Sequence, residues 1–130
     1  MKTYCLLNHK LTENQEKELS EKFQSEKIVY PSAELSASWA QVPPTEKIDR
    51  GIARRVVDWL SDAEEGDVLL VQGEMGATFL LVSYALSHGL VPMHAVSRRE
   101  ESESVEGESV VKRHIFRHVC FRRYEIWDEE

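Results

Sequence analysis

Three short polar segments carry the side chains that could do chemistry on a phosphate ester. They are Asn8-His9-Lys10, the run from Gln72 to Thr78, and Ser97-Arg98-Arg99. Histidine titrates near neutral pH, so His9 could move a proton, and His9 with Lys10 could hold a phosphate. The simpler alternative is that His9 only caps or packs within a loop.

The second segment reads Gln72-Gly73-Glu74-Met75-Gly76-Ala77-Thr78. It joins a buried strand to an apolar helix, and its glycines permit a sharp turn that leaves backbone amides bare for a phosphate or a ribose. It is neither a Walker loop nor a dinucleotide fingerprint, and the glycines could serve the turn alone. We expect Glu74 to point outward or to hydrogen-bond a ribose hydroxyl. Thr78 could contact the ligand or bond its own backbone.

The remaining polar candidates have more ordinary explanations beside the functional ones. Thr12 begins Thr12-Glu13-Asn14-Gln15, a capping-box pattern, so helix capping is favoured over a role at the ligand. Arg98 and Arg99 are adjacent, and on an extended segment they point in opposite directions. At most one of them should enter a shared pocket, and the other should pair with Glu100, Glu101 or a partner.

A metal site is not expected. His114 and His118 share a face of a strand but lie about 13 Å apart along it. His118 and Cys120 are closer, yet two ligands do not make a structural zinc site. The two cysteines, Cys5 and Cys120, lie in apolar runs and are expected to be buried free thiols. We expect no cofactor.

Composition limits the classes of partner. The chain has 130 residues and a net charge of −7, which disfavours long nucleic acid because such binding depends on neutralising phosphates. A short anionic ligand needs only a local cationic pocket, and the run from Lys112 to Arg123 is rich in cations, although a solvated or interface strand explains that run equally well. Nothing resembles a signal peptide or a membrane span, so a cytoplasmic protein is expected.

The elements that position these segments alternate between strand and helix. Strands are predicted at Thr3–Asn8, Lys27–Tyr30, Val68–Val71 and Leu90–Val96, and two more are predicted to meet around Glu106-Gly107. Helices are predicted from Thr12 to Phe23, from Thr45 to Glu64 and from Phe79 to Leu86, with one turn near Ala33–Trp39.

This alternation predicts an α/β, doubly wound, mostly parallel sheet with a C-terminal β-hairpin. We expect a single domain over residues 1–130, with a core in 1–97 and the hairpin and acidic tail in 98–130. Because ligands bind beyond the carboxyl ends of parallel strands, all three polar segments should lie on one edge.

Several segments resemble small standalone CRISPR-associated Csx proteins. They are Asn8-His9-Lys10-Leu11-Thr12, Val71 to Phe79, Gly89-Leu90-Val91-Pro92, Ser97-Arg98-Arg99-Glu100 and His118 to Tyr124. The resemblance implies a CARF-like, Rossmann-like homodimer that binds cyclic oligoadenylate. It also implies a ring nuclease that cleaves cyclic tetra-adenylate without a metal, by attack of a ribose 2′-oxygen, and so switches off type III CRISPR signalling.

In that mechanism His9, Lys10 and Arg98 are the expected catalytic residues. The expected ligand-binding residues are Asn8, Thr12, Gln72, Gly73, Glu74, Met75, Gly76, Ala77, Thr78, Ser97 and Arg99. Three alternatives stay open: a module that binds the ring without cutting it, a Rossmann-like enzyme acting on a mononucleotide or sugar phosphate, and an interaction protein that uses its charged hairpin.

Overall fold

The computed structural model describes residues 1–129 as a mixed α/β fold with one five-stranded sheet. The strands are β1 (Lys2–Leu6), β2 (Lys27–Val29), β3 (Val68–Val71), β4 (Val91–Glu106) and β5 (Ser109–Arg123). Their order is β2-β1-β3-β4-β5. All neighbouring pairs are parallel except β4 with β5. The predicted α/β class, the mostly parallel sheet and the C-terminal hairpin are therefore confirmed.

Four helices connect the strands: α1 (Glu13–Glu21), α2 (Ala33–Ala40), α3 (Arg50–Trp59) and α4 (Met75–Ser87). Each begins at a polar N-cap whose side chain accepts a backbone N–H, which satisfies donors that the first turn cannot pair. The capping box predicted at Thr12 is present, with Gln15 Oε1 accepting from the Thr12 backbone N–H. No helix within residues 1–129 has the length and apolar character needed to cross a membrane.

Helices cover both faces of the sheet. In β1 and β3 successive side chains point to opposite faces. Tyr4, Leu6, Leu69 and Val71 pack with α2, α3 and α4 in one apolar cluster. Cys5, Leu7, Val68 and Leu70 pack with Leu19 of α1 in the other. Burial on both faces explains why the central strands are continuous apolar runs.

Strand β4 leaves the parallel sheet soon after it enters it. It pairs with β3 only from Val91 to Met93. It then pairs with β5 as far as Glu106, through a register shift between Val96 and Ser97. Residues 97–118 thus form a largely exposed two-stranded arm that closes at Gly107, where φ is +66°. We call these residues the arm.

Several predicted boundaries were wrong for local reasons. The fourth strand was expected to end in a loop at Ser97–Arg99, but β4 continues to Glu106 because β5 offers an antiparallel partner along its whole length. The predicted cap at Thr45 is replaced by Asp49, whose carboxylate accepts from Gly51 N at 2.8 Å, and α3 ends at Trp59 rather than near Glu64. Helix α4 begins at Met75 instead of Phe79, for a reason given below.

Candidate functional site

The turns after β1 and β3 lie side by side at the carboxyl edge of the sheet. The chain leaves β1 for β2 on one side, and β3 pairs with β1 on the other. Strand order therefore reverses between β1 and β3, which is where open α/β sheets bind ligands. The backbone N–H of Gln72 donates to Leu6 O at 3.1 Å and holds the two turns together.

A cleft of about 770 Å³ opens at the turn after β1. We call it the β1 cleft. Its volume lies within the usual range for small-molecule sites. One wall is made by residues 8–11 and Glu16, and the opposite wall by Tyr30, Pro31 and small residues of α2. The complete lining is Cys5, Leu7, Asn8, His9, Lys10, Leu11, Glu16, Tyr30, Pro31, Ala33, Ser36, Ala37 and Ala40.

The basic residues at the mouth of the β1 cleft, His9 and Lys10, are exposed and do not stabilise the fold through ion pairs. Within residues 1–129, His9 and Lys10 take part in no ion pair with a carboxylate. His9 Nδ1 lies 3.2 Å from Lys10 O. A proton on Nδ1 would be donated to that carbonyl and would leave Nε2 as a base. Asn8 is also exposed beside them.

The other polar groups of this cleft are held in place. Tyr30 O–H donates to Glu16 Oε1 at 2.9 Å, and partial burial together with this hydrogen bond raises the pKa of the Tyr30 phenol. Burial raises the pKa of the Cys5 thiol to about 12. Cys5 is therefore protonated at neutral pH, which argues against it as a nucleophile because the thiolate is the reactive form.

The turn after β3, by contrast, is held by contacts with neighbouring elements of the fold. Gln72 Oε1 accepts from Ala95 N at 2.9 Å, which adds a side-chain rung between β3 and β4. The Gln72 carbonyl accepts from Trp39 Nε1 at 3.0 Å. A Cβ added at Gly73 would lie 2.7 Å from the Trp39 ring, so only glycine fits there without displacement.

Glu74 occupies the amides that were expected to receive phosphate. Its carboxylate accepts from Gly76 N at 2.9 Å and from Ala77 N at 2.8 Å, and these two hydrogen bonds lower its pKa. The prediction that the two amides are bare is therefore wrong, whereas Glu74 is exposed, as the expected outward position requires; its contact with a ribose stays a prediction. A carboxylate at a helix N-terminus gains both hydrogen bonds and the favourable dipole, so α4 starts at Met75.

A second cleft of about 420 Å³ opens on the far side of this turn. We call it the β3 cleft, and its lining is Gln72, Gly73, Met75, Thr78, Phe79, Val82, Tyr124 and Glu125. The buried hydroxyl of Thr78 has no hydrogen-bond partner within residues 1–129, so it does not bond its own backbone. Tyr124 O–H donates to Val71 O at 2.7 Å, which ties the end of β5 to the end of β3.

The third predicted segment does not join the other two. Ser97, Arg98 and Arg99 lie on β4 within the arm and line neither cleft. Arg99 contacts His114, with a shortest N···N distance of 2.9 Å, and pairs with Glu101 at 3.5 Å. The expected pairing of one arginine with Glu101 is confirmed, whereas the expected convergence of three loops is wrong because β4 has no loop at this point.

Metal ligands are not grouped in the part of the chain that the structure describes, where no three His, Cys, Asp or Glu side chains come together. His118 Nε2 instead lies 2.9 Å from Glu18 Oε1, and the other oxygen of that carboxylate accepts from Phe121 N at 2.9 Å. This contact joins α1 to β5. Both cysteines are free, as expected.

Two aromatic residues of the site were not predicted. Tyr30 lines the β1 cleft directly after β2, another parallel strand, so the same strand-end rule would have found it. Tyr124 lines the β3 cleft, but it follows an antiparallel strand to which that rule does not apply. Thr12 serves as an N-cap and does not line either cleft.

Comparison with known proteins places this architecture in a family. A protein from Methanocaldococcus jannaschii, "Uncharacterized protein MJ1673", is 27% identical over 125 residues, which are 95% of this chain and 96% of that protein. No solved structure matches the chain. The family model described as "Uncharacterized protein MJ1673 family" matches residues 1–122. The chain therefore belongs to the MJ1673 family.

Proposed function

We propose that this protein is a ring nuclease that binds cyclic tetra-adenylate and cleaves it without a metal. The observation that carries the proposal is the β1 cleft at the carboxyl ends of β1 and β2, where His9 and Lys10 are exposed, have no carboxylate partner within residues 1–129 and border mostly apolar walls. A nucleotide needs this combination of an apolar surface for the base and cations for the phosphate. The resemblance to CRISPR-associated Csx proteins adds the ring form of the ligand.

The proposal includes a finer description of the fold. The strand order β2-β1-β3-β4-β5 with helices on both faces supports a Rossmann-like, CARF-like arrangement in which β5 is antiparallel. A homodimer belongs to the proposal, since two copies related by a twofold axis would match a ring of four like nucleotides.

In the binding step, one adenine lies against the small residues of α2 and against Tyr30, and the adjoining phosphate lies at Lys10. The amide of Asn8 is exposed beside them and serves a ribose or a phosphate oxygen. The backbone amides of Gly76 and Ala77 have no part in this step because Glu74 holds them. Thr78 lines the neighbouring β3 cleft, but its hydroxyl is buried and is given no role in this step.

In the chemical step, a ribose 2′-oxygen attacks the adjacent phosphorus. The new bond joins the 2′-oxygen to phosphorus, and the bond from phosphorus to the 5′-oxygen breaks. The products are a 2′,3′-cyclic phosphate and a free 5′-hydroxyl, so the proton lost by the 2′-hydroxyl balances the proton gained at the 5′-oxygen. His9 accepts or donates this proton, and Lys10 stabilises the charge that develops on the phosphoryl oxygens.

Arg98, unlike His9 and Lys10, can act in this mechanism only in a dimer. It lies on the arm, outside both clefts, so it can reach the ligand only if the arm of a second copy folds over the site. We keep it as a catalytic candidate that depends on the dimer.

Single substitutions test the mechanism in metal-free buffer with a chelator. We expect His9→Ala to slow cleavage of cyclic tetra-adenylate by about 10²-fold or more. We expect about the same loss from Lys10→Ala, and we measure Arg98→Ala in parallel. Lys112→Ala is the matched control, because Lys112 is an exposed cation on the arm that pairs with Glu103 at 3.5 Å. Unchanged rates in the three test variants would remove the mechanism.

A second candidate is a module that binds the ring and does not cut it. The observation that favours it is that His9 contacts only the backbone carbonyl of Lys10 among the described residues, so no carboxylate orients it as a base. Incubation of protein with excess cyclic tetra-adenylate separates the two candidates. Repeated turnover supports the nuclease, and retention of intact ring at a fixed stoichiometry supports the binding module.

A further inference from the structure

Helix α4 is apolar all round, although one of its sides faces solvent. Its sequence from Met75 to Ser87 contains no charged residue. Ala77, Leu81 and Ala85 are buried on the sheet side, whereas on the other side Met75 is 86% exposed and Phe79 73% exposed. Surface helices normally carry charged residues on the outer side, and a helix without them is normally covered.

The tail that follows β5 adds two exposed apolar side chains beside this helix, between acidic residues. Ile126 is 70% exposed and Trp127 84% exposed, and both line a groove with Leu86 at the end of α4. Met75 and Phe79 line the adjoining β3 cleft with Tyr124. We call Met75, Phe79, Leu86, Ile126 and Trp127 the α4 patch.

The size of the α4 patch is that of an interface. At 150–250 Å² for each large side chain, its exposed fractions amount to roughly 700 Å². The largest apolar patch of a typical monomer covers about 300–600 Å². A standard protein–protein interface buries about 800 Å² on each partner. The patch is therefore large enough to supply most of one side of a stable dimer.

We propose that the α4 patch is the surface through which two copies of this chain associate. Each copy carries a net charge of −7, so two copies repel each other least where they meet through apolar side chains. Glu125 and Asp128 line the clefts at the edge of the patch, whereas the five side chains of the patch itself would give a charged partner no ion pair. A twofold contact is by contrast self-complementary, because it places the same apolar side chains against each other.

The arm is the competing surface for a dimer, and its chemistry is different. It exposes Phe116 at 69% and Val105 at 74%. These side chains alternate with charged pairs such as Lys112 with Glu103 and Arg117 with Glu100. Charges along an edge strand discourage pairing with another chain. The two surfaces therefore offer a matched comparison, with one highly exposed phenylalanine on each.

The proposed function includes a homodimer, and this inference names the surface through which it forms. Only the idea that the dimer matches a cyclic ligand rests on the proposed function. Met75 and Thr78 line the β3 cleft beside the patch, so a second copy on α4 would also cover that cleft. A dimer that forms and does not cleave would overturn the proposed nuclease alone. A monomer that cleaves would overturn this inference and the homodimer of the proposed function, but not the nuclease activity.

Light scattering on the full chain, across a concentration series, tests the proposal. We expect the wild type to have twice the chain mass of 15.0 kDa. We expect Phe79→Asp to weaken the dimer at least about 100-fold and to shift it to the monomer mass. Phe116→Asp should keep the dimer mass. Because both phenylalanines are exposed, both variants should fold, and far-UV circular dichroism with thermal unfolding checks this.

The result that would overturn the proposal is a wild type that stays monomeric at the highest concentration, or a Phe79→Asp variant that stays dimeric. A monomeric Phe116→Asp variant would also overturn it, since it would assign the interface to the arm. Met75→Asp, which changes another exposed residue of the patch, should reproduce the effect of Phe79→Asp.

Discussion

The turns after β1 and β3 stand at the same edge of the sheet but are used in opposite ways. In the turn after β3, Gln72, Gly73 and Glu74 each have a partner in the fold: Ala95, Trp39 and the first amides of α4. In the turn after β1, His9 and Lys10 are exposed, and no carboxylate pairs with them within residues 1–129.

This contrast shows that closeness to a strand end does not by itself indicate a ligand site. The glycine-containing turn has the pattern that suggested phosphate binding, yet its polar groups satisfy one another. The plainer turn keeps its polar groups available, because nothing in the fold depends on them. We infer that substitutions in the turn after β1 should change function, whereas substitutions in the turn after β3 should change stability.

The largest expected effect comes from Trp39, the residue against which the turn after β3 is built. Trp39 is fully buried, and its Nε1 donates to Gln72 O. We expect Trp39→Ala to lower the free energy of unfolding by about 3–5 kcal/mol in urea denaturation, because it opens a cavity and leaves a carbonyl unpaired. Trp39→Phe, the control that keeps a ring, should lose less. A loss under about 1 kcal/mol for Trp39→Ala would break the contrast between the turns.

A smaller effect is expected at Glu74, and it should depend on pH. Two backbone hydrogen bonds lower the pKa of its carboxyl in the folded state below the ordinary value of 4.5. Its contribution to stability is therefore complete above pH 4.5 and is lost as the pH falls through the lowered value.

Glu74→Gln, which carries no titrating group, should be less stable than the wild type near neutral pH and should approach it in acid. Unfolding measured from pH 3 to pH 7 checks this. Glu108→Gln on the exposed arm is the control and should follow the wild-type curve. A gap between Glu74→Gln and the wild type that stays constant with pH would contradict the capping role.

The smallest effect on stability is expected in the turn after β1. His9→Ala and Lys10→Ala should each change the free energy of unfolding by less than about 0.5 kcal/mol, because exposed side chains without partners contribute little. Urea denaturation of the variants used for the cleavage assay provides this measurement. A larger loss in either variant would assign its side chain to the fold and would remove the contrast.

Much of the framework could be predicted from the sequence because its signals are local. The apolar run at Val68–Val71 indicates a buried strand, and the capping box at Thr12 indicates the start of a helix, without reference to any distant segment. The continuity of β4 could not be predicted in the same way. The fourth strand and a further strand before Glu106-Gly107 were predicted separately, and they form one strand because β5 pairs along both. Polar residues alone resemble a loop until their partner strand is known.

The candidate site was predictable in part for the same reason. The strand-end rule located His9 and Lys10, but the small residues of α2 that complete the β1 cleft come from a segment that looked irregular. Whether the amides of Gly76 and Ala77 were free depended on one side-chain rotation at Glu74. Composition and spacing do not determine that rotation.

The hydrogen bonds of Gln72 and Tyr124 join the two strands at the base of the arm to the end of β3. Ala95 on β4 donates to the Gln72 side chain, and Tyr124, directly after β5, donates to Val71 O. These two hydrogen bonds fix the point at which the arm leaves the sheet, so its base is held at the carboxyl end of β3 although its outer residues are exposed.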